Sequence, residues 1–185
     1  MEPPELSEEE LAALYQCLTD SLLDTQAAAP SDGSMVVMAS WTQSDRAEAR
    51  DYLDWKNFAR VPYVSFTHGE RFATNYANAI AAEAYGKYED VDAVPAGGII
   101  AKPTFSVSPG GEAMLATLFL MEKAAPGTSP DTNDWIYTSV MADGSVAHRT
   151  GGVNSDGAMF CAVCHMAMGE GQDDLIFLPE EYRVQ

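Results

Sequence analysis

Apolar residues near the start of the chain recur at helical spacing. Ser7-Glu8-Glu9-Glu10 reads as a capping box, with acidic side chains at the positive end of a helix dipole. Leu11, Leu14, Tyr15, Leu18 and Leu22 then form one stripe, and Pro30 with Asp32-Gly33 ends the element. Cys17 lies on or beside that stripe and reads as a small buried hydrophobe. Met35-Val36-Val37-Met38 suits a short strand. Residues 45–58 suit a helix, with Tyr52, Leu53, Trp55 and Phe58 available for packing. Trp41 and Trp55 are expected in the core.

From residue 63 the pattern alternates. Tyr63-Val64-Ser65-Phe66 and Arg71-Phe72-Ala73-Thr74-Asn75-Tyr76 flank a turn at His68-Gly69. An Ala-rich helix over 79–88 follows, and Pro95-Ala96-Gly97-Gly98 breaks the chain. Extended segments are expected at 99–102, 105–107, 115–121 and 135–141. Between them lie a turn at Pro109-Gly110-Gly111 and a polar loop over 126–133. Asp143-Gly144 marks a tight hairpin. Strands joined by short turns predict an α+β fold, a predominantly antiparallel sheet with peripheral helices. Residues 1–45 are a helical extension, and 46–185 the main domain.

The chain has 185 residues, 46% of them hydrophobic, enough for a sizeable core. Ten basic residues against 28 acidic ones give a net charge of −18. That field disfavours nucleic acid and anionic membrane surfaces, and suits a basic protein partner.

Candidate chemistry centres on Phe160-Cys161-Ala162-Val163-Cys164-His165. C-x-x-C-H is the attachment signature of a c-type haem, in which two thiols add to porphyrin vinyl groups and the adjacent imidazole binds the iron. With three Cys and three His in the chain, chance would produce it on the order of once in two thousand such sequences. A thioredoxin-like pair lacks its βαβ context, and Cys17, His68 and His148 do not complete a zinc site. The motif is expected to begin a short helix. Met1-Glu2-Pro3-Pro4-Glu5 lacks leader character, yet haem attachment takes place outside the cytoplasmic membrane. Export to the periplasm is therefore expected, with a leader removed or replaced.

What occupies the iron's other face decides the function. Met166 and Met168 lie within a turn of His165, on its own side. Met114, Met121 and Met141 fall on strands that can reach across. His68, at a turn, and His148 read as surface or structural residues, with His68 or a strand Met the candidates for a sixth ligand. Lys102 interrupts an apolar strand. It either points to solvent or is a desolvated amine able to attack an oxidised macrocycle.

Tyr76-Ala77-Asn78, Gly97-Gly98-Ile99-Ile100-Ala101-Lys102, Asp134-Trp135-Ile136-Tyr137, the C-x-x-C-H and Asp174-Leu175-Ile176-Phe177 together resemble the cytochrome P-460 family over about residues 50–185. The resemblance implies one haem c per chain on a mainly antiparallel fold, often dimeric, with His165 proximal. It further implies a Lys102 cross-link to the porphyrin and oxidation of hydroxylamine or nitric oxide, with electrons passed to a redox partner. Asp156, beside Gly157, stands nearest the position of the family's catalytic carboxylate. Pro103 replaces an expected acidic residue. The related cytochrome c′-beta group implies instead a gas binder without the cross-link; a simple electron carrier is a further alternative.

Overall fold

The computed structural model describes residues 4–27, 41 and 44–184. The expected strand at 35–38 and the turn at 30–33 lie outside the described residues. The chain is α+β, built on an eight-stranded, antiparallel sheet. Its strands are β1 (Lys56–Asn57), β2 (Tyr63–Ser65), β3 (Arg71–Ala73), β4 (Tyr76–Ala77), β5 (Ile99–Val107), β6 (Ala113–Lys123), β7 (Trp135–Met141) and β8 (Val146–Arg149). The main path runs β1-β4-β5-β6-β7-β8; β3 pairs with the far end of β5, and β2 with β3. Helices α1 (Glu8–Ala27), α2 (Ala47–Asp51), α3 (Ala82–Tyr85) and α4 (Ser155–Met168) surround it. No helix among the described residues is long and apolar enough to cross a membrane.

The first helix starts as its sequence dictates. Ser7 N–H donates to Glu10 Oε2 at 2.9 Å, and Glu10 N–H donates to Ser7 Oγ at 3.3 Å. The apolar stripe lies on the sheet: Leu11 packs with Phe72, Phe105 and Val107, and Tyr15 stacks on Phe105 at 5.7 Å. The Tyr15 hydroxyl accepts from Thr74 Oγ1 at 2.9 Å and pairs with the Tyr76 hydroxyl at 3.0 Å. Cys17 is exposed, contrary to the sequence reading. At 100° per residue it falls about 110° from the centre of the stripe.

Residues 45–58 do not form one helix. After α2 the chain tightens into a 3-10 turn, Tyr52–Asp54, and then extends into β1, where Lys56 faces Ala77. Pairing along the sheet edge outweighs local helix preference, while Tyr52 and Trp41 are buried together. Trp55 is only half-buried. The Ala-rich stretch likewise shortens to α3, capped by Asn78, whose Oδ1 accepts from Ala81 N–H at 3.0 Å and from Ile99 N–H at 3.1 Å.

The two expected segments at 99–102 and 105–107 join as one strand. Its register shifts between Pro103 and Phe105, where Thr104 Oγ1 donates to Thr117 O and accepts from Thr117 N–H. The bulge accommodates a proline, which has no N–H for the ladder. One face of the sheet buries Leu118, Leu120 and Val140 with Tyr52, Trp41 and Leu22. The other buries Ile100, Met121 and Tyr137 against Ala158 and Ala162 of α4. Alternation along β6 separates these two sets.

Candidate functional site

Register brings four distant residues into one row. Lys102 lies opposite Phe119, Phe119 opposite Ser139, and Ser139 opposite His148. Directly opposed side chains share a face, so this row floors one side of the sheet. Two residues along, Ile100, Met121 and Tyr137 form a second row. Helix α4 lies over both. Its motif does not begin the helix but occupies the middle of its 14 residues. Spacings of three and four then place Cys161, Cys164 and His165 on one face.

Between the helix and these rows is a cavity of about 310 Å³, partly open to solvent. Cys161, Cys164, His165, Lys102, His68 and His148 all line it, with Arg71 and Tyr137. Among the described residues no carboxylate lines the cavity, although the chain as a whole carries a net charge of −18.

His165 is held from behind. Its Nδ1 lies 2.9 Å from the carbonyl oxygen of Asp174, which can only accept. Nδ1 therefore carries the proton, and Nε2 keeps a free lone pair, the state an axial ligand needs. Burial also lowers the His165 pKa, with the Asp174 carbonyl opposing it. The loop over 169–174 is fixed in turn. Asp173 accepts from Lys123 Nζ at 2.6 Å and from Val94 N–H at 2.8 Å, and its carbonyl accepts from Trp135 Nε1 at 2.9 Å. Asn133 Nδ2 donates to the Asp174 carboxylate at 2.9 Å. Both aspartates have left-handed backbone.

Lys102 does not point freely to solvent. Its Nζ lies 3.5 Å from both Ser65 Oγ and His68 Nδ1, and 5.7 Å from the centre of the Tyr63 ring. Burial lowers its pKa to about 8. His68 is not a surface residue, as its turn position suggested. The 3-10 turn Phe66–His68, closed by left-handed Gly69, folds it into the cavity. Its ring packs against Phe119 at 4.8 Å and lies 6.4 Å from the His165 ring. Burial first, then Lys102 and His165, lower its pKa to about 2. His148, too, belongs to the site: its Nε2 is 2.7 Å from Ser139 Oγ and 3.6 Å from Cys161 Sγ. Burial raises the Cys161 thiol pKa.

The remaining candidates separate. Asp156 is exposed on the first turn of α4 and does not line the cavity. Met114 and Met141 are exposed and also absent from the lining, whereas Met121 is buried and lines it. Met166 packs into the core, and Met168 is exposed, its Sδ 3.7 Å from Cys164 Sγ. Ser65, Phe119, Ser139 and Tyr137 are site residues the sequence reading missed. Their signal lay in strand register, which is not visible in one sequence.

The donor set of the pocket suits a haem. Two free thiols and a correctly oriented imidazole converge on a largely apolar space. The Tyr137 hydroxyl, on its wall, is buried and has no hydrogen-bond partner among the described residues. Arg71 and Lys102 supply positive charge that suits propionates. A bare metal ion is served differently: no group of three or more His, Cys, Asp or Glu is placed to hold one among the described residues. No family model matches the chain, and no curated protein matches it.

Proposed function

We propose that the chain is an exported mono-haem c-type cytochrome that binds a small nitrogen compound and passes electrons to a protein partner. The observation that carries this reading is the convergence of Cys161, Cys164, His165 and Lys102 on one apolar cavity. Cys161 and Cys164 would hold the porphyrin through thioethers, and His165 Nε2 would bind the iron. The bound haem supplies one-electron chemistry and an open coordination position.

The chain's own residues supply the rest. Asp174 O fixes the proximal ring, and the Lys123–Asp173 pair fixes the loop that carries Asp174. Phe119 and Met121 exclude water from the floor. Lys102, from its strand position, is the residue that would bond to the macrocycle if this chain oxidises hydroxylamine.

A second reading, a nitric oxide or gas binder with Lys102 unlinked, is favoured because, among the described residues, no carboxylate lines the cavity. Asp156 is too far out of phase on α4 to serve as a proton relay there. The absorption spectrum of the haem-loaded protein decides between the two. A strongly red-shifted Soret band that disappears in Lys102→Leu, with haem retained, is the expected mark of the cross-link and of the oxidase. An ordinary high-spin spectrum unchanged in Lys102→Leu assigns the gas binder. Low-spin iron in the resting protein contradicts both.

A further inference from the structure

Three imidazoles line the cavity, and the partners of two of them, His165 and His68, put their protons on opposite nitrogens. His165 donates from Nδ1 to Asp174 O, leaving Nε2 bare. His68 has the reverse arrangement. Its Nδ1 lies 3.0 Å from Ser65 Oγ, 3.0 Å from Thr67 Oγ1 and 3.5 Å from Lys102 Nζ. An ammonium only donates, so a lone pair must face it. Lys102 Nζ also lies 3.5 Å from Ser65 Oγ, which turns the Ser65 O–H toward the same nitrogen. The His68 proton therefore sits on Nε2. That N–H makes no hydrogen bond to another described residue, and Phe119 holds the ring in place.

We propose that His68 is not an iron ligand but the hydrogen-bond donor that recognises a small ligand in this cavity, through Nε2–H. In this tautomer Nε2 has no lone pair to give a metal, and ligation would require the proton to move to Nδ1, against the Lys102 ammonium. What Nε2–H can bind is an acceptor atom on a small anion or strongly dipolar molecule. The surroundings select the same class, because Lys102 and Arg71 line the cavity and no carboxylate among the described residues does. The iron-bound part of this assignment rests on the haem reading; the position of the proton does not.

Two measurements test it. In the full-length chain without haem, ¹⁵N resonances report the His68 tautomer, and His68→Gln identifies its signals among the three histidines. The expected result is a protonated Nε2 and a bare Nδ1; a protonated Nδ1 overturns the proposal. In the ferric haem-loaded protein, azide is the probe. His68→Leu is expected to weaken azide roughly tenfold, as for loss of one hydrogen bond to a charged group, and to shift the bound-azide stretch. His68→Gln, which keeps a donor, is expected to restore most of both. Unchanged affinity and stretch in His68→Leu overturns the assignment. So does resting low-spin iron that turns high-spin in that variant. If no haem is taken up, the functional reading fails, while the nitrogen resonances still decide the proton.

Discussion

Between pH 8 and pH 10 the haem-free chain is expected to gain about 2 kcal/mol of stability relative to Lys102→Met. Lys102 has a native pKa of about 8 against an ordinary value of 10.5. Across that interval the unfolded chain binds the extra proton, so the contribution of Lys102 to stability rises with pH. A shift of that size corresponds to about 3 kcal/mol over the whole titration at 1.36 kcal/mol per pKa unit, of which about 2 kcal/mol falls between pH 8 and pH 10. The cost at neutral pH is the burial of an ammonium without a carboxylate partner among the described residues. Lys102→Met is therefore expected to be more stable than the natural chain at pH 7. In the absolute stability of the natural chain the slope reverses between about pH 9 and pH 10. Burial holds the hydroxyls of Tyr15, Tyr52, Tyr63, Tyr85 and Tyr137 above their ordinary pKa, so ionisation there favours the unfolded chain. Urea unfolding at pH 7, 8, 9 and 10 checks this. A pH-independent difference between the natural chain and Lys102→Met would show that the amine is hydrated.

Gly169→Ala is expected to cost about 3 kcal/mol, or a fall of roughly 6–12 °C in Tm. A Cβ at Gly169 would lie 2.4 Å from Asp174 C, 2.7 Å from its Cα and 2.7 Å from Leu175 N. All three are backbone atoms, so no side chain can rotate away. The loop must move, and with it the Asp174 carbonyl that holds His165 and the Asp173 carboxylate that meets Lys123 and Val94 N–H. Gly110→Ala serves as the control. Its nearest contact would be 3.6 Å, at Ser108 Oγ, and its cost should stay within about 0.5 kcal/mol. Thermal unfolding of the two variants gives the comparison. Equal small shifts would mean that the loop over 169–174 is more yielding than its hydrogen bonds indicate.

The strands were legible because alternation and turn residues are local. Trp135–Met141 and the Asp143-Gly144 hairpin stand where sequence reading placed them, with Gly144 left-handed. The helix over 45–58 was misread because Lys56 and Asn57 answer to the partner strand β4 rather than to their neighbours. In the site, motif spacing was enough to place Cys161, Cys164 and His165 on one helical face. Asp156, named from the family resemblance, is exposed and outside the cavity lining: nine residues before His165 is about 180° out of phase on a helix. Nothing local could show that Lys102, Phe119, Ser139 and His148 form a row, since register is a property of pairs of strands. His68 was likewise hidden, because its direction depends on the 3-10 turn before Gly69.

The central claim is covalent haem at Cys161 and Cys164. Mass spectrometry of the full-length protein, produced with c-type maturation in a periplasm, addresses it most directly. The account predicts an intact mass raised by one haem, with peptide mapping placing thioethers at Cys161 and Cys164 and leaving Cys17 free to alkylate. The double variant Cys161→Ala/Cys164→Ala should return the mass of the bare polypeptide. A natural chain whose three thiols all alkylate, at the mass of the polypeptide alone, would contradict it.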